Sequence, residues 1–106
     1  MFTVIFHDAA ESELNALPAS SKAKMMRLLH KLQSDPQALR EPDTKPLGNG
    51  LFEIRTLGSQ PARGLWVYQT DRFIVLLRIF VKKTQKTPQR EIETAIRRLK
   101  EMQDEI

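Results

Sequence analysis

The apolar positions of this chain change period along its length, and those changes mark out its elements. Phe2, Val4 and Phe6 alternate with Thr3, Ile5 and His7, the two-residue period of a strand with one heavily apolar face. Asp8 with Glu11 has the form of a capping box, Asp standing in the Ser/Thr place, and predicts a short helix ending near Leu17. Pro18 interrupts it. Met25, Leu28, Leu29 and Leu32 then keep the i, i+3, i+4, i+7 spacing of an amphipathic helix, predicted from about Ala19 to Ser34 and closed by Asp35-Pro36. These two helices form a hairpin that covers a sheet.

From Glu41 to Gly50 the chain is rich in Pro, Gly, Asp and Asn and reads as a loop, partly extended at most. Three strands follow, Leu51 to Leu57, Arg63 to Thr70 and Arg72 to about Val81, separated by Gly58-Ser59-Gln60-Pro61 and by a tight turn around Thr70-Asp71. Connections this short imply an antiparallel meander. After the basic segment Lys82 to Lys86, Thr87 is placed to N-cap a helix with Pro88 in its first turn, and Ile92, Ala95, Ile96 and Leu99 give that helix an apolar stripe. The order β-α-α-β-β-β-α describes an α+β fold, an antiparallel sheet with helices packed on one face, over residues 1–106 as one domain.

Composition narrows the classes. With 106 residues, 41% hydrophobic and 28% charged, the chain supports one core and is too apolar for disorder. It has no cysteine, hence no disulfide framework or thiolate chemistry, which suits a reducing cytoplasm. The longest apolar run, Phe73 to Leu77, is far too short for a membrane span, and the opening residues lack a signal peptide's basic segment, so no membrane is expected.

Charge adds more. The net charge is +4, but residues 45–90 alone carry nine basic and two acidic side chains, while the segments on either side are net acidic. A positive surface meeting a polyanion such as RNA fits this distribution, and so does a solvated basic face.

Strand parity says where those charges stand. Phe52 and Ile54 share a face suited to a core, leaving Glu53 and Arg55 on the other; Leu77, Ile79 and Val81 oppose Arg78, Phe80 and Lys82. In the middle strand Arg63 keeps parity with Leu65 and Val67, and Trp66 and Tyr68 point the other way; Gly64 is a candidate bulge that would re-aim Arg63.

Several of these residues carry a resemblance. Leu51-Phe52-Glu53-Ile54-Arg55, Ala62-Arg63, Leu76-Leu77 and the block Phe80-Val81-Lys82-Lys83-Thr84-Gln85-Lys86-Thr87-Pro88, followed by a helix with Glu and Ala95, resemble the RelE/ParE toxin superfamily, and within it phage-derived HigB-like toxins. The resemblance spans essentially the whole chain. It implies a RelE-like, microbial-ribonuclease-type fold and a toxin of a type II toxin–antitoxin pair. Such a toxin is an endoribonuclease that cuts messenger RNA, usually on the ribosome, in the cytoplasm, until a cognate antitoxin neutralises it. The same superfamily includes ParE-like toxins that inhibit gyrase by binding, so a non-enzymatic role stays open, as does a plain nucleic-acid-binding module.

RNA cleavage without a metal requires a base for the 2′-hydroxyl, positive charge for the pentavalent phosphate and an acid for the 5′-oxygen. Arg55 and Arg63 are candidate phosphate clamps, since a guanidinium engages two phosphate oxygens at once. Lys82 and Lys83 are candidate charge stabilisers, and Lys82, crowded by other cations that favour its neutral amine, is also a candidate acid or base. Glu53 is a candidate base, although its place between cations favours a salt bridge to Arg55 or Arg63. Phe80, Trp66 and Tyr68 are candidate stacking platforms for a base, with Arg78, Lys86 and Lys45 as further RNA contacts.

The remaining temptations are weaker. His7 and His30 lie outside the basic region, residues 91–106 hold neither His nor Tyr, and Ile79 occupies a position where the family commonly has Gly. His7 reads as a structural residue beside the first helix, and Met25 and Met26 as core and core edge. With no cysteine and dispersed histidines there is no metal or cofactor to assign. Gly48-Asn49-Gly50 precedes a strand and so reads as a turn, not a phosphate loop.

Overall fold

A computed structural model describes residues 2–69 and 72–104 of the chain. The elements run β1 (Thr3–Phe6), α1 (Asp8–Asn15), α2 (Ala19–Ser34), a 3-10 turn (Pro36–Ala38), β2 (Thr44–Gly48), β3 (Leu51–Arg55), β4 (Ala62–Gln69), β5 (Phe73–Val81) and α3 (Gln89–Asp104). The turn expected around Thr70-Asp71 lies outside the described residues.

Five strands form one sheet in the order β1-β5-β4-β3-β2. The β2-β3-β4-β5 meander is antiparallel as expected; β1 pairs parallel to β5, Thr3 opposite Phe73 through Phe6 opposite Leu76. The segment read as a loop contains β2, whose Thr44 and Lys45 stand opposite Ile54 and Glu53. Its periodicity is hidden because Pro46 and Gly48 are poor strand formers, tolerated because β2 is an edge strand. Gly48, Asn49 and Gly50 all have positive φ, the left-handed backbone of a tight β2-β3 turn.

The helices cover both faces of the sheet, not one. The α1-α2 hairpin supplies Leu14, Leu17, Met25, Leu29 and Leu32 to a core shared with Ile54, Trp66, Ile74, Leu76 and Ile79. On the other face α3 lays Ile92, Ala95, Leu99 and Met102 against Leu51, Leu65, Val67, Val75 and Leu77. Each fully buried Leu or Ile contributes about 1.5–3 kcal/mol, so neither layer is dispensable. Ile96 and Met26 are half exposed, the apolar stripes of their helices being narrower than the spacing suggests.

A bulge divides β5. Leu65 stands opposite Arg78 but Trp66 opposite Leu76, so Leu77 is the extra residue. It turns Leu77 onto the α3 face, whereas simple alternation puts it with Ile79 and Val81. The bulge is therefore in β5 and not at Gly64. Gly64 serves close packing instead: a Cβ there would lie 2.9 Å from Ile54 Cγ2 and 3.3 Å from Leu76 Cδ1.

Two caps differ from expectation as well. His7, not Asp8, caps α1, its Nδ1 accepting from the Ala9 amide at 3.0 Å while Nε2 meets Glu101 Oε1 of α3 at 3.0 Å. The Thr87 hydroxyl turns away from the α3 N-terminus and toward Glu53.

Candidate functional site

On the α3 face, register sets two rows of side chains across the sheet. Arg55 stands opposite Arg63, and Arg63 opposite Phe80; Glu53 stands opposite Leu65, and Leu65 opposite Arg78. Beyond these rows β5 runs into Lys82 to Lys86, whose path is fixed by Lys82 N donating to Pro61 O at 2.7 Å. A cleft of about 480 Å³ opens there, lined among others by Arg63, Arg78, Phe80, Lys82, Lys83 and Lys86, with Arg90 and Glu91 from the first turn of α3.

A buried polar knot forms its floor. Glu53 is fully buried, with Oε1 accepting from Arg55 Nε at 2.6 Å and Oε2 from the Thr87 hydroxyl and, at 3.4 Å, from Arg63 Nη1. Arg63, 3% exposed, also donates through Nη1 to Thr87 Oγ1 at 2.6 Å and through Nη2 to Gln85 O at 2.9 Å. One carboxylate thus ties β3, β4 and the basic segment together. A charge buried this deeply persists only when paired, so Glu53 acts in the salt bridges and not as a solvent-reachable base. Arg63 Nε has no partner among the described residues, although the rest of its guanidinium is committed.

The cleft wall is braced by a second network. Arg78 donates to Glu91 Oε1 from Nε at 2.8 Å and also pairs with Glu13 of α1, and its guanidinium carbon sits 5.4 Å above the Phe80 ring. Glu13 further accepts from Arg98 at 2.8 Å and from the Ile79 amide at 3.0 Å, satisfying the edge of β5 where β1 has ended. Burial pushes the Glu13 carboxyl up, but the Arg98 hydrogen bonds, the Ile79 amide and the charges of Arg78 and Arg98 outweigh it and hold the group below its ordinary value. Burial likewise opposes the Arg78 charge, and the hydrogen bonds and charges of Glu91 and Glu13 overcome it, keeping the guanidinium more firmly protonated than usual.

Not all candidate residues meet here. Arg63, Arg78, Phe80, Lys82, Lys83 and Lys86 line the cleft together. Arg55 lines a separate, smaller depression with Lys24, Arg27 and Lys31 of α2, and is tied to the cleft floor through Glu53. Lys45 is exposed on edge strand β2, opposite Glu53 in register but outside the cleft lining. Trp66 is 2% exposed and stacked on Phe52 at 4.7 Å on the α1-α2 face, which removes it as a stacking platform for RNA. Tyr68 is exposed but belongs to the same aromatic group, 5.0 Å from Trp66, on the face away from the cleft; burial first, then the charge of Asp35, push its phenol upward.

The sequence reading missed Arg90 and Glu91. Both lie in the first turn of α3, where a helix N-terminus opens toward a cationic segment, and that placement was the available signal. Among the described residues no group of three His, Cys, Asp or Glu side chains is placed to hold a metal ion, and no helix is long and apolar enough to cross a membrane.

Comparison with known proteins places the fold and the family. A family model described as "phage derived protein Gp49-like" matches residues 12–100. The toxin–antitoxin complex RelBE2 from Mycobacterium tuberculosis contains a chain similar to this one, with a TM-score of 0.59 at 24% identity, covering 76% of this chain and 98% of that one. A mutant of the E. coli toxin RelE in the free state is similar with a TM-score of 0.67 at 14% identity, covering 92% of this chain and 96% of that one. No curated protein sequence gives a significant match.

Proposed function

The chain belongs to the phage-derived Gp49-like family and has the fold of RelE toxins, and on that premise we propose that it is the toxin of a type II toxin–antitoxin pair, an endoribonuclease cutting messenger RNA. The observation that carries this reading is the cleft: four lysines and arginines at its rim and floor, Arg78, Lys82, Lys83 and Lys86, converge around Phe80 with Arg63 beneath them. Cations stabilise a phosphate whose charge rises in the transition state, and an aromatic ring beside them holds a base out of its stack.

In this reading Lys82 and Lys83 contact the scissile phosphate, Lys86 and Arg90 the neighbouring ones, and Phe80 a base. Arg63 supports the phosphate site from below. The 2′-hydroxyl attacks phosphorus, the 5′-oxygen leaves, and the products carry a 2′,3′-cyclic phosphate and a 5′-hydroxyl, with no metal or other cofactor taking part. A cleft of this volume is of small-ligand size, so it takes a short stretch of RNA. The ribosome supplies the remaining alignment of the message, since orienting a flexible strand is itself worth several orders of magnitude in rate. The protein acts in the cytoplasm as one domain. RelBE2 is a toxin–antitoxin complex, and a cognate antitoxin is the partner inferred here.

Induced expression of wild type and of a Lys82→Ala, Lys83→Ala double variant, with mapping of message 5′ ends, tests the reading. Growth arrest with new ends inside translated messages, both lost in the folded double variant, is the expected result. Arrest with intact messages and altered DNA supercoiling would replace it with gyrase inhibition.

A further inference from the structure

The ribonuclease reading leaves the general base unassigned, and the described lining of the cleft contains one carboxylate, while its lysines are given to the phosphate. We propose that Glu91 is the catalytic base that takes the proton of the attacking 2′-hydroxyl; the inference rests on the ribonuclease reading above.

Among the described residues lining the cleft, Glu91 is the sole carboxylate and no histidine is present. The neighbouring acids, buried Glu53 and partly buried Glu13, are spoken for. Glu53 is sealed beneath Arg63, and Glu13 lies outside the cleft lining with both oxygens engaged by Arg78 and Arg98 and a further bond from the Ile79 amide. Glu91 differs in having capacity left. Its Oε1 accepts one bond from Arg78 Nε at 2.8 Å and its Oε2 one longer bond from Arg78 Nη2 at 3.4 Å. A carboxylate has about four acceptor sites, so half remain for a hydroxyl.

The Arg78 fork is itself held, by Glu13 on one side and the Phe80 ring on the other, so Glu91 is oriented before substrate arrives. Its place in the first turn of α3 sets the side chain at the mouth of the cleft, beside the basic segment that leads into the helix. The charges facing it are Arg78 from β5, Arg63 from β4, Lys82, Lys83 and Lys86 from the connecting segment and Arg90 from its own helix.

The chemistry closes without a further reactant. Glu91 takes the proton from O2′, O2′ forms the bond to phosphorus, and the P–O5′ bond breaks with its electron pair on O5′. An ammonium proton from Lys82 or Lys83 completes the 5′-hydroxyl, and solvent afterwards restores both side chains.

The test uses the purified full chain on bacterial ribosomes programmed with a defined message, comparing wild type with Glu91→Gln, which keeps the size and one acceptor of the side chain. Loss of a general base costs about 100-fold or more in kcat. The variant is expected to show that loss with KM within about threefold of wild type, a flattened acid limb of the pH–rate profile, a still cooperative thermal transition lowered only as far as the weakened Arg78 pair requires, and undiminished binding of the same message carrying 2′-O-methyl groups. A variant that cuts within a few-fold of the wild-type rate overturns the proposal. So does one whose binding and thermal transition fall together with its rate, which assigns Glu91 to structure alone. A wild type that leaves the message whole overturns the ribonuclease reading and this inference with it.

Discussion

Thr87 and Glu53 lie 34 positions apart in the chain and meet inside it, the threonine hydroxyl donating to Oε2 of a fully buried carboxylate. That contact anchors the basic segment to the sheet, because Thr87 ends the segment and Glu53 also holds Arg55 and Arg63. The cleft keeps its shape through a polar knot and not through apolar packing alone.

The knot predicts a specific stability loss. Replacing Glu53 with Gln leaves the Arg63 guanidinium buried beside a neutral group, and breaking such a pair from one side costs about 3–5 kcal/mol. Urea unfolding of Glu53→Gln is expected to show a large fall in midpoint, and the double variant Glu53→Gln, Arg63→Met a smaller one, since it removes the orphaned charge. Equal midpoints for Glu53→Gln and wild type would show that the knot contributes nothing.

Gly64 tests the packing beneath the cleft. A methyl group there meets Ile54 and Leu76 at separations below ordinary contact, and overpacking of this kind costs about 1–3 kcal/mol. Gly64→Ala is expected to lower the thermal midpoint even though alanine is the better-behaved residue elsewhere in a chain.

Glu13 predicts a pH dependence. Its carboxyl is held below the ordinary value in the folded protein, by Arg98, the Ile79 amide and Arg78 acting against the upward push of burial. The stabilisation is therefore complete above the unfolded-state value and disappears as pH falls through the lower, folded-state value. Glu13→Gln is expected to be less stable than wild type near neutrality, with the difference closing in acid; a difference that stays constant with pH would mean the carboxylate charge is immaterial.

Much of this architecture can be read from residue order, and the exceptions have physical causes. The bounds of α2 follow from Met25, Leu28, Leu29 and Leu32, and the partition of β4 follows from Arg63, Leu65 and Val67 against Trp66. Leu77 cannot be placed by alternation, because a bulge is set by pairing with a distant strand. The edge strand around Pro46 carries no two-residue signature, since Pro46 and Gly48 are poor strand formers and neither face of the strand is fully buried. The layer formed by α3 alone is equally invisible locally, as amphipathicity tells that a helix covers something and not which face it covers. For the site, the cationic cluster was legible in the Lys82 to Lys86 run, whereas Arg55's separation from it and the arrival of Glu91 depend on where β3 ends and α3 begins.

Salt dependence addresses the cleft's engagement with phosphate. Each cation that contacts a single-stranded phosphate adds about 0.7 to the slope of log K against log salt. Lys83→Ala is expected to reduce the slope for an uncleavable 2′-O-methyl RNA by about that amount, and Lys31→Ala on the far depression to leave the cleft's contribution intact. An unchanged slope in Lys83→Ala would remove that lysine from the RNA contact.

The chemistry of the cut ends tests the central claim most directly. RNA fragments recovered after induction of the wild-type protein can be assayed for 5′-hydroxyl termini by direct labelling with polynucleotide kinase, without prior phosphatase treatment. Attack by the 2′-hydroxyl in the cleft predicts labelled fragments whose 5′ ends lie within translated messages, absent in Lys82→Ala, Lys83→Ala. Fragments that become labelled only after phosphatase treatment, or that persist in the double variant, would contradict it.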